Sequence, residues 1–122
     1  MKSMEKTAAR KRRAERVRKK ARGTAGRPRM NVYRSLKHTY VQFVDDDRGV
    51  TLGSVCTRSK AFAEKHSGSS GTVAAAQALG VLAGDLASSL GITEVVFDRA
   101  GFRYHGRIKA VAEGARSRNL KL

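Results

Sequence analysis

The apolar positions change their spacing five times along the chain, and each change marks an element. From Met4 to Arg22 the run MEKTAARKRRAERVRKKAR contains mostly good helix formers, with Glu15 and Lys19 as a favourable i,i+4 pair. Its apolar stripe is only Ala14, Val17 and Ala21, too thin to dock firmly on a core. The pattern predicts a frayed segment that becomes helical against a partner. Gly23, Gly26 and Pro28 break it and set the start of the globular part. RMNVYRS, HTYVQFV and VTLGSVCT then alternate, separated by turn residues near Leu36 and by DDDRG. That spacing predicts three strands in an antiparallel meander. On the middle strand Val41 and Phe43 fall on one face, and His38, Tyr40 and Gln42 on the other. Tyr33 and Phe62 are read as core or half-core residues.

Beyond the meander, RSKAFAEKH suits a helix of two turns and SGSSG is a flexible break. From Thr72 to Leu90 the period becomes helical: Val73, Ala76, Leu79, Leu82, Ala83, Leu86 and Leu90 recur at three and four. Its alanines, with Gly80 and Gly84, predict close approach to a sheet, and Gly91 ends the helix. TEVVF reads as a short buried strand, followed by a loop over 98–106 and a helix from Arg107 to about Arg116. A strand–helix–strand crossover favours a parallel pairing. The predicted class is α/β: a small mixed sheet, an antiparallel three-strand meander plus one parallel strand, packed with helices and preceded by a basic N-terminal helix or tail. The predicted organisation is a basic extension over 1–26 and a globular domain over 27–122.

Charge changes this picture most. The 122 residues carry 26 Lys and Arg against 10 Asp and Glu, a net +16. Residues 1–29 hold 13 of the basic groups against Glu5 and Glu15, so +11 sits in the first quarter. Repulsion at that density calls for a polyanionic partner. A membrane is disfavoured: no apolar run approaches the ~20 residues of a span, and the basic segment has no Trp, Phe or Leu for the headgroup boundary. A secretory signal would need an apolar stretch where the charges continue. An organelle presequence is also arginine-rich and acid-poor, but this segment has few serines. The single Cys56 cannot form an intrachain disulfide and fits a reducing compartment.

Two readings of FDRAGFRYHGRIKAVAEGAR, residues 97–116, compete. Cys56, His105 and Asp98 could be assembled as nucleophile, base and orienter. Yet Cys56 lies in a strand pattern, and Asp98 beside Arg99 reads better as an ion pair or a loop-capping carboxylate. His38, His66 and His105 lack metal-ligand spacing, so no metal or other cofactor is expected. SGSSGT has no Lys of a nucleotide loop and reads as a linker. Phosphate binding explains more. Arg99, Arg103 and Arg107 offer planar forks, the helix start near Gly106 adds its dipole, and Tyr104 and His105 suit stacking or a ribose hydroxyl. No recognition helix for duplex DNA stands out, so a structured RNA fits best. A promiscuous basic chaperone or DNA-compacting protein is the remaining non-enzymatic alternative.

With those residues in view, the sequence resembles the bacterial form of large-subunit ribosomal protein eighteen, a 5S-rRNA-binding family. The likeness runs from the arginine-rich leader through GRPRMNVYRSLKHTYVQFVDD and LGSVCT to VVFDRAGFRYHGRIKAVAEGAR and the final NLKL. SGSSGT and RSKAFAEKH depart from the family's usual segments. The resemblance implies a non-enzymatic constituent of the large ribosomal subunit, in the cytoplasm or an organelle ribosome. It implies a place in the central protuberance, joining 5S rRNA to the large rRNA near ribosomal protein five. It also implies RNA contacts at Arg10, Lys11, Arg12, Arg13, Arg16, Lys19 and Lys20 of the leader, and at Arg27 and Arg29. Arg34, His38 and Tyr40 of the first hairpin and Arg99, Arg103, Tyr104, His105 and Arg107 of the last motif complete the expected set.

Overall fold

The structure is a computed structural model that describes residues 2–20, 22–66 and 68–122; the side chains of 2–5, 17–20 and 65 lie outside the description. In chain order the elements are α1 (Lys2–Lys20), β1 (Arg29–Arg34), β2 (Thr39–Asp45), β3 (Val50–Cys56), α2 (Lys60–Lys65), α3 (Val73–Ser89), β4 (Val96–Asp98) and α4 (Gly106–Arg116). Alternation decides the sheet, as the pattern predicts. Met30 and Val32 of β1, and Thr39, Val41 and Phe43 of β2, are buried on one face. The antiparallel register sets Met30 opposite Phe43 and Val32 opposite Val41, so these side chains meet directly. β3 continues the meander, and β4 adds in parallel on the far side of β1, giving the order β3-β2-β1-β4.

α3 and α4 cover the buried face. Leu79, Ala83 and Ala87 of α3 join Ile108, Val111 and Ala115 of α4 and the strand residues in one core. Capping explains where the helices begin: Ala75 N donates to Thr72 Oγ1 at the start of α3, and Phe62 N donates to Ser59 Oγ at α2. The expected use of the α3 glycines needs correction. Gly80 and Gly84 face α4, not the sheet: a Cβ at Gly80 would lie 2.9 Å from the carbonyl carbon of Val111, and one at Gly84 3.3 Å from Ala115 O. Gly114 answers from α4, where a Cβ would lie 2.9 Å from Val81 N. The two helix backbones thus approach through missing side chains.

The start of the packed unit also moves. Gly23 is buried, its N–H donates to Asp46 Oδ2 at 2.7 Å, and its carbonyl accepts from Asp46 N at 3.1 Å. Gly23 therefore belongs to the globular part and is more than a helix breaker. Phe62 is buried as expected, whereas Tyr33 is 40% exposed and stands on the opposite face of the sheet from the core.

Candidate nucleic-acid interface

The sheet face turned away from α3 and α4 has two halves. The register places Asn31 opposite Gln42 and Tyr33 opposite Tyr40, with Ser54 and Cys56 of β3 beyond them. At one end, Arg29 gathers two carboxylates. Its Nε and Nη2 donate to Asp46 at 3.0 and 3.1 Å, and Nη1 donates to Asp98 Oδ2 at 2.7 Å. Asp98 is fully buried and also accepts from Asn31 Nδ2 and from Ala100 N, both at 2.9 Å. Parallel pairing of β1 and β4, which sets Asn31 opposite Asp98, makes this convergence possible.

Two expectations are corrected here. The partner of Asp98 is Arg29, not Arg99, whose Nη1 instead donates to the Phe102 carbonyl at 2.6 Å. Asp98 does hold the loop after it, through Ala100 N. Arg29 is not free for RNA, because only 12% of its side chain is exposed and its fork is already occupied by carboxylates. Hydrogen bonding to Asp46, then to Asp98, raises its pKa against the opposing effect of burial. The same pair, chiefly through the Arg29 hydrogen bond, holds the Asp46 carboxyl below the usual carboxylate range. Asp46 therefore binds its proton less readily folded than unfolded. Its contribution to stability is complete above the unfolded value, about pH 4, and fades as pH falls through the lower folded value. Melts between about pH 6 and pH 2 are expected to show a smaller acid loss in Asp46→Asn than in wild type; equal losses would remove the pair from acid stability.

The other half is aromatic and cationic. The Tyr33 and Tyr40 rings lie 5.7 Å apart, and Phe102 meets Tyr33 edge-on at 5.8 Å. The guanidinium carbons of Arg10 and Arg34 both lie 4.9 Å from the Phe102 centroid. Tyr104 is 42% exposed; its ring stands edge-on to Phe97 and its hydroxyl accepts from Arg116 Nη1 at 2.8 Å, on the α4 side of the sheet. Arg103 and His105 are exposed, and His105 is the N-cap residue of α4 with no side-chain capping bond.

Arg107 differs from the open fork expected of it. Its Nη2 donates to the Ser35 carbonyl at 2.8 Å, while Nη1 is buried with no partner among the described residues. Burial, helped by the nearby Arg34, lowers its pKa. It ties α4 to the β1–β2 hairpin and supplies a partly desolvated positive charge. At the turn of that hairpin His38 Nδ1 lies 3.0 Å from Thr57 Oγ1, which fixes the ring. Ser70 of the SGSSG loop donates to the Lys37 carbonyl at 2.9 Å, so the expected linker braces the hairpin. On α1, Lys11, Arg12 and Arg16 are exposed, whereas Arg10 and Arg13 turn toward the loop at 101–102. Arg27 is exposed. The side chains of Lys19 and Lys20 lie outside the described residues.

The catalytic assembly comes apart in this fold. Cys56 is on β3 and Asp98 on β4, the two opposite edges of the sheet. Three strand spacings, roughly 14 Å, separate them. Among the described residues no three His, Cys, Asp or Glu are grouped to hold a metal ion, and no helix is long and apolar enough to cross a membrane.

Residues 4–122 match the family described as ribosomal L18 of archaea, bacteria, mitochondria and chloroplasts. The chain belongs to the ribosomal L18 family. It is 52% identical over 121 residues to the large ribosomal subunit protein uL18 of Pelotomaculum thermopropionicum, covering 99% of this chain and 98% of the relative. The protein of the same name from Desulforudis audaxviator is 51% identical over 112 residues, covering 92% and 91%. That from Petrotoga mobilis is 46% identical over 121 residues, covering 99% and 98%. As an L18-family ribosomal protein the chain is not an enzyme, and the resemblance in its last motif is correct.

Sequence reasoning missed two members of this L18 surface. Tyr33, read as a core or half-core residue, is 40% exposed, and Phe102, given no role, is buried against it. The signal for Tyr33 was available: it is out of phase with Met30 and Val32 on one strand. Phe102 had no comparable signal, because loop residues obey no period.

Proposed function

We propose that this chain is a structural constituent of the large ribosomal subunit that binds 5S rRNA. In this reading it helps attach 5S rRNA to the large rRNA in the central protuberance, beside ribosomal protein five. Family membership supports the ribosomal setting. The observation that carries RNA binding is the exposed Tyr33 beside the half-buried Tyr40, backed by the buried Phe102 and flanked by Arg10 and Arg34 on an open sheet face. Aromatic rings accept unpaired bases, and guanidinium groups accept phosphates, which together suit a folded RNA. Arg34, Arg103 and Arg107 contribute positive charge, Arg107 also by holding the hairpin at Ser35. His38, two residues before Tyr40, and the exposed His105 at the start of α4 add further polar groups.

Tyr104 tests the loop's share. Its ring is held by Phe97 and its hydroxyl by Arg116, so it is presented to RNA in one orientation. Filter binding to a 5S rRNA transcript is expected to weaken ~5–150-fold for Tyr104→Ala, the equivalent of one base stack. Tyr104→Phe should lose less. Binding of unrelated folded RNA as tightly as 5S rRNA by the wild-type chain would overturn the proposal.

A further inference from the structure

The leader has too thin an apolar stripe to pack on a core, yet α1 makes a well-defined contact with the globular part. Gly101 adopts φ +80, and a Cβ there would run into the Arg10 carbonyl and lie 2.8 Å from Ala14 N. The α1 backbone therefore rests directly on the Gly101 peptide, and only glycine leaves the room. Ala14 is 7% exposed at this contact, and Arg13 Nε donates to the Gly101 carbonyl at 3.0 Å. Arg10 lies over Phe102 and, at 6.0 Å, over Tyr33. The seat is rigid because Asp98 holds Ala100 N and Arg99 holds the Phe102 carbonyl.

We propose that the Gly101–Phe102 step is a docking seat that aims the basic leader helix along the RNA-binding face. Arg10 and Arg13 are then positioning residues that fasten α1 to the seat, while Lys6, Lys11, Arg12 and Arg16, all exposed, face the polyanion. The contact is small, and Arg10 and Arg34 repel one another across Phe102, so docking is coupled to RNA: phosphates relieve the repulsion that opposes it. Leader, loop and open sheet face become one composite surface. This inference rests on the rRNA-binding reading above.

The test measures 5S rRNA binding by the full-length chain across a salt series, with a melt of each variant. Deleting residues 1–20, which keeps Gly23 and its bonds to Asp46, is expected to lower the slope of log K against log salt by about 3, or four contacts at roughly 0.7–0.9 each. Gly101→Ala should lower the slope by nearly the same amount, and should have no further effect in the chain lacking 1–20. Arg13→Lys keeps the charge but cannot reproduce the Nε donor, so in the full chain it should weaken binding severalfold and lower the slope. Because Arg13 lies on the leader, this variant leaves the packed unit intact even if Gly101→Ala disturbs the loop. A wild-type slope in Arg13→Lys, or equal losses with and without the leader, would overturn the docking seat while leaving 5S rRNA binding in place. A wild-type chain that does not prefer 5S rRNA would sink the functional proposal, and this one with it.

Discussion

Asp98→Ala is expected to lower the melting temperature by about 12–20 °C. The carboxylate is fully buried and receives three donors: Arg29 Nη1, Asn31 Nδ2 and Ala100 N. Removing one side of a buried pair leaves the other charge uncompensated, a cost of about 3–5 kcal/mol. In a domain near 100 residues each kcal/mol moves the melt by roughly 4 °C. Arg29 keeps Asp46, which places the effect nearer the lower bound, but the loop also loses its anchor at Ala100. Asp98→Asn should cost less, since an amide oxygen still accepts from Ala100 N. Arg29→Ala should likewise destabilise the fold before it affects RNA. A circular-dichroism melt of Asp98→Ala within about 3 °C of wild type, less than 1 kcal/mol by the same conversion, would show that the network does not hold the fold.

The second large effect separates packing from recognition within β2. Phe43 is fully buried, opposite Met30 on β1 and Gly53 on β3. Truncating it leaves a cavity in the centre of the sheet, and Phe43→Ala should cost about 3–5 kcal/mol. Against a total stability of roughly 5–15 kcal/mol, that loss approaches unfolding. Tyr40, three residues away, points to the open face, where its ring meets Tyr33. Tyr40→Ala should shift stability by about 1 kcal/mol or less, yet reduce 5S rRNA affinity ~5–150-fold. Melts and filter binding on the two variants check both halves. A Tyr40→Ala chain that melts like Phe43→Ala, or binds RNA like wild type, would show this face to be structural.

These experiments turn on what was legible along the chain and what was not. Alternation in HTYVQFV assigned Val41 and Phe43 inward and Tyr40 and Gln42 outward, because a strand sends successive side chains to opposite faces wherever it lies. The three-and-four spacing from 73 to 90 gave α3 for the same reason, a period set by backbone geometry. Family motifs from Val95 to the C-terminus carried the ribosomal assignment. The destinations of side chains were another matter. Arg29 looked like one more cation in a basic stretch, and only the parallel pairing of β1 with β4 brings Asp98, 69 positions away, within 2.7 Å of it. Gly80 and Gly84 announced close approach but not its object, since which helix face meets α4 is decided by how two helices cross. Arg10 and Arg13 were indistinguishable from Lys11 and Arg12 as charges; the fold separates them, because Gly101 and Phe102 contact only one side of α1. Periodicity is a local property of dihedral angles and was determined by sequence alone. The choice of partner for each charge, ring and glycine depends on which distant segments become neighbours, and only the tertiary structure decided it.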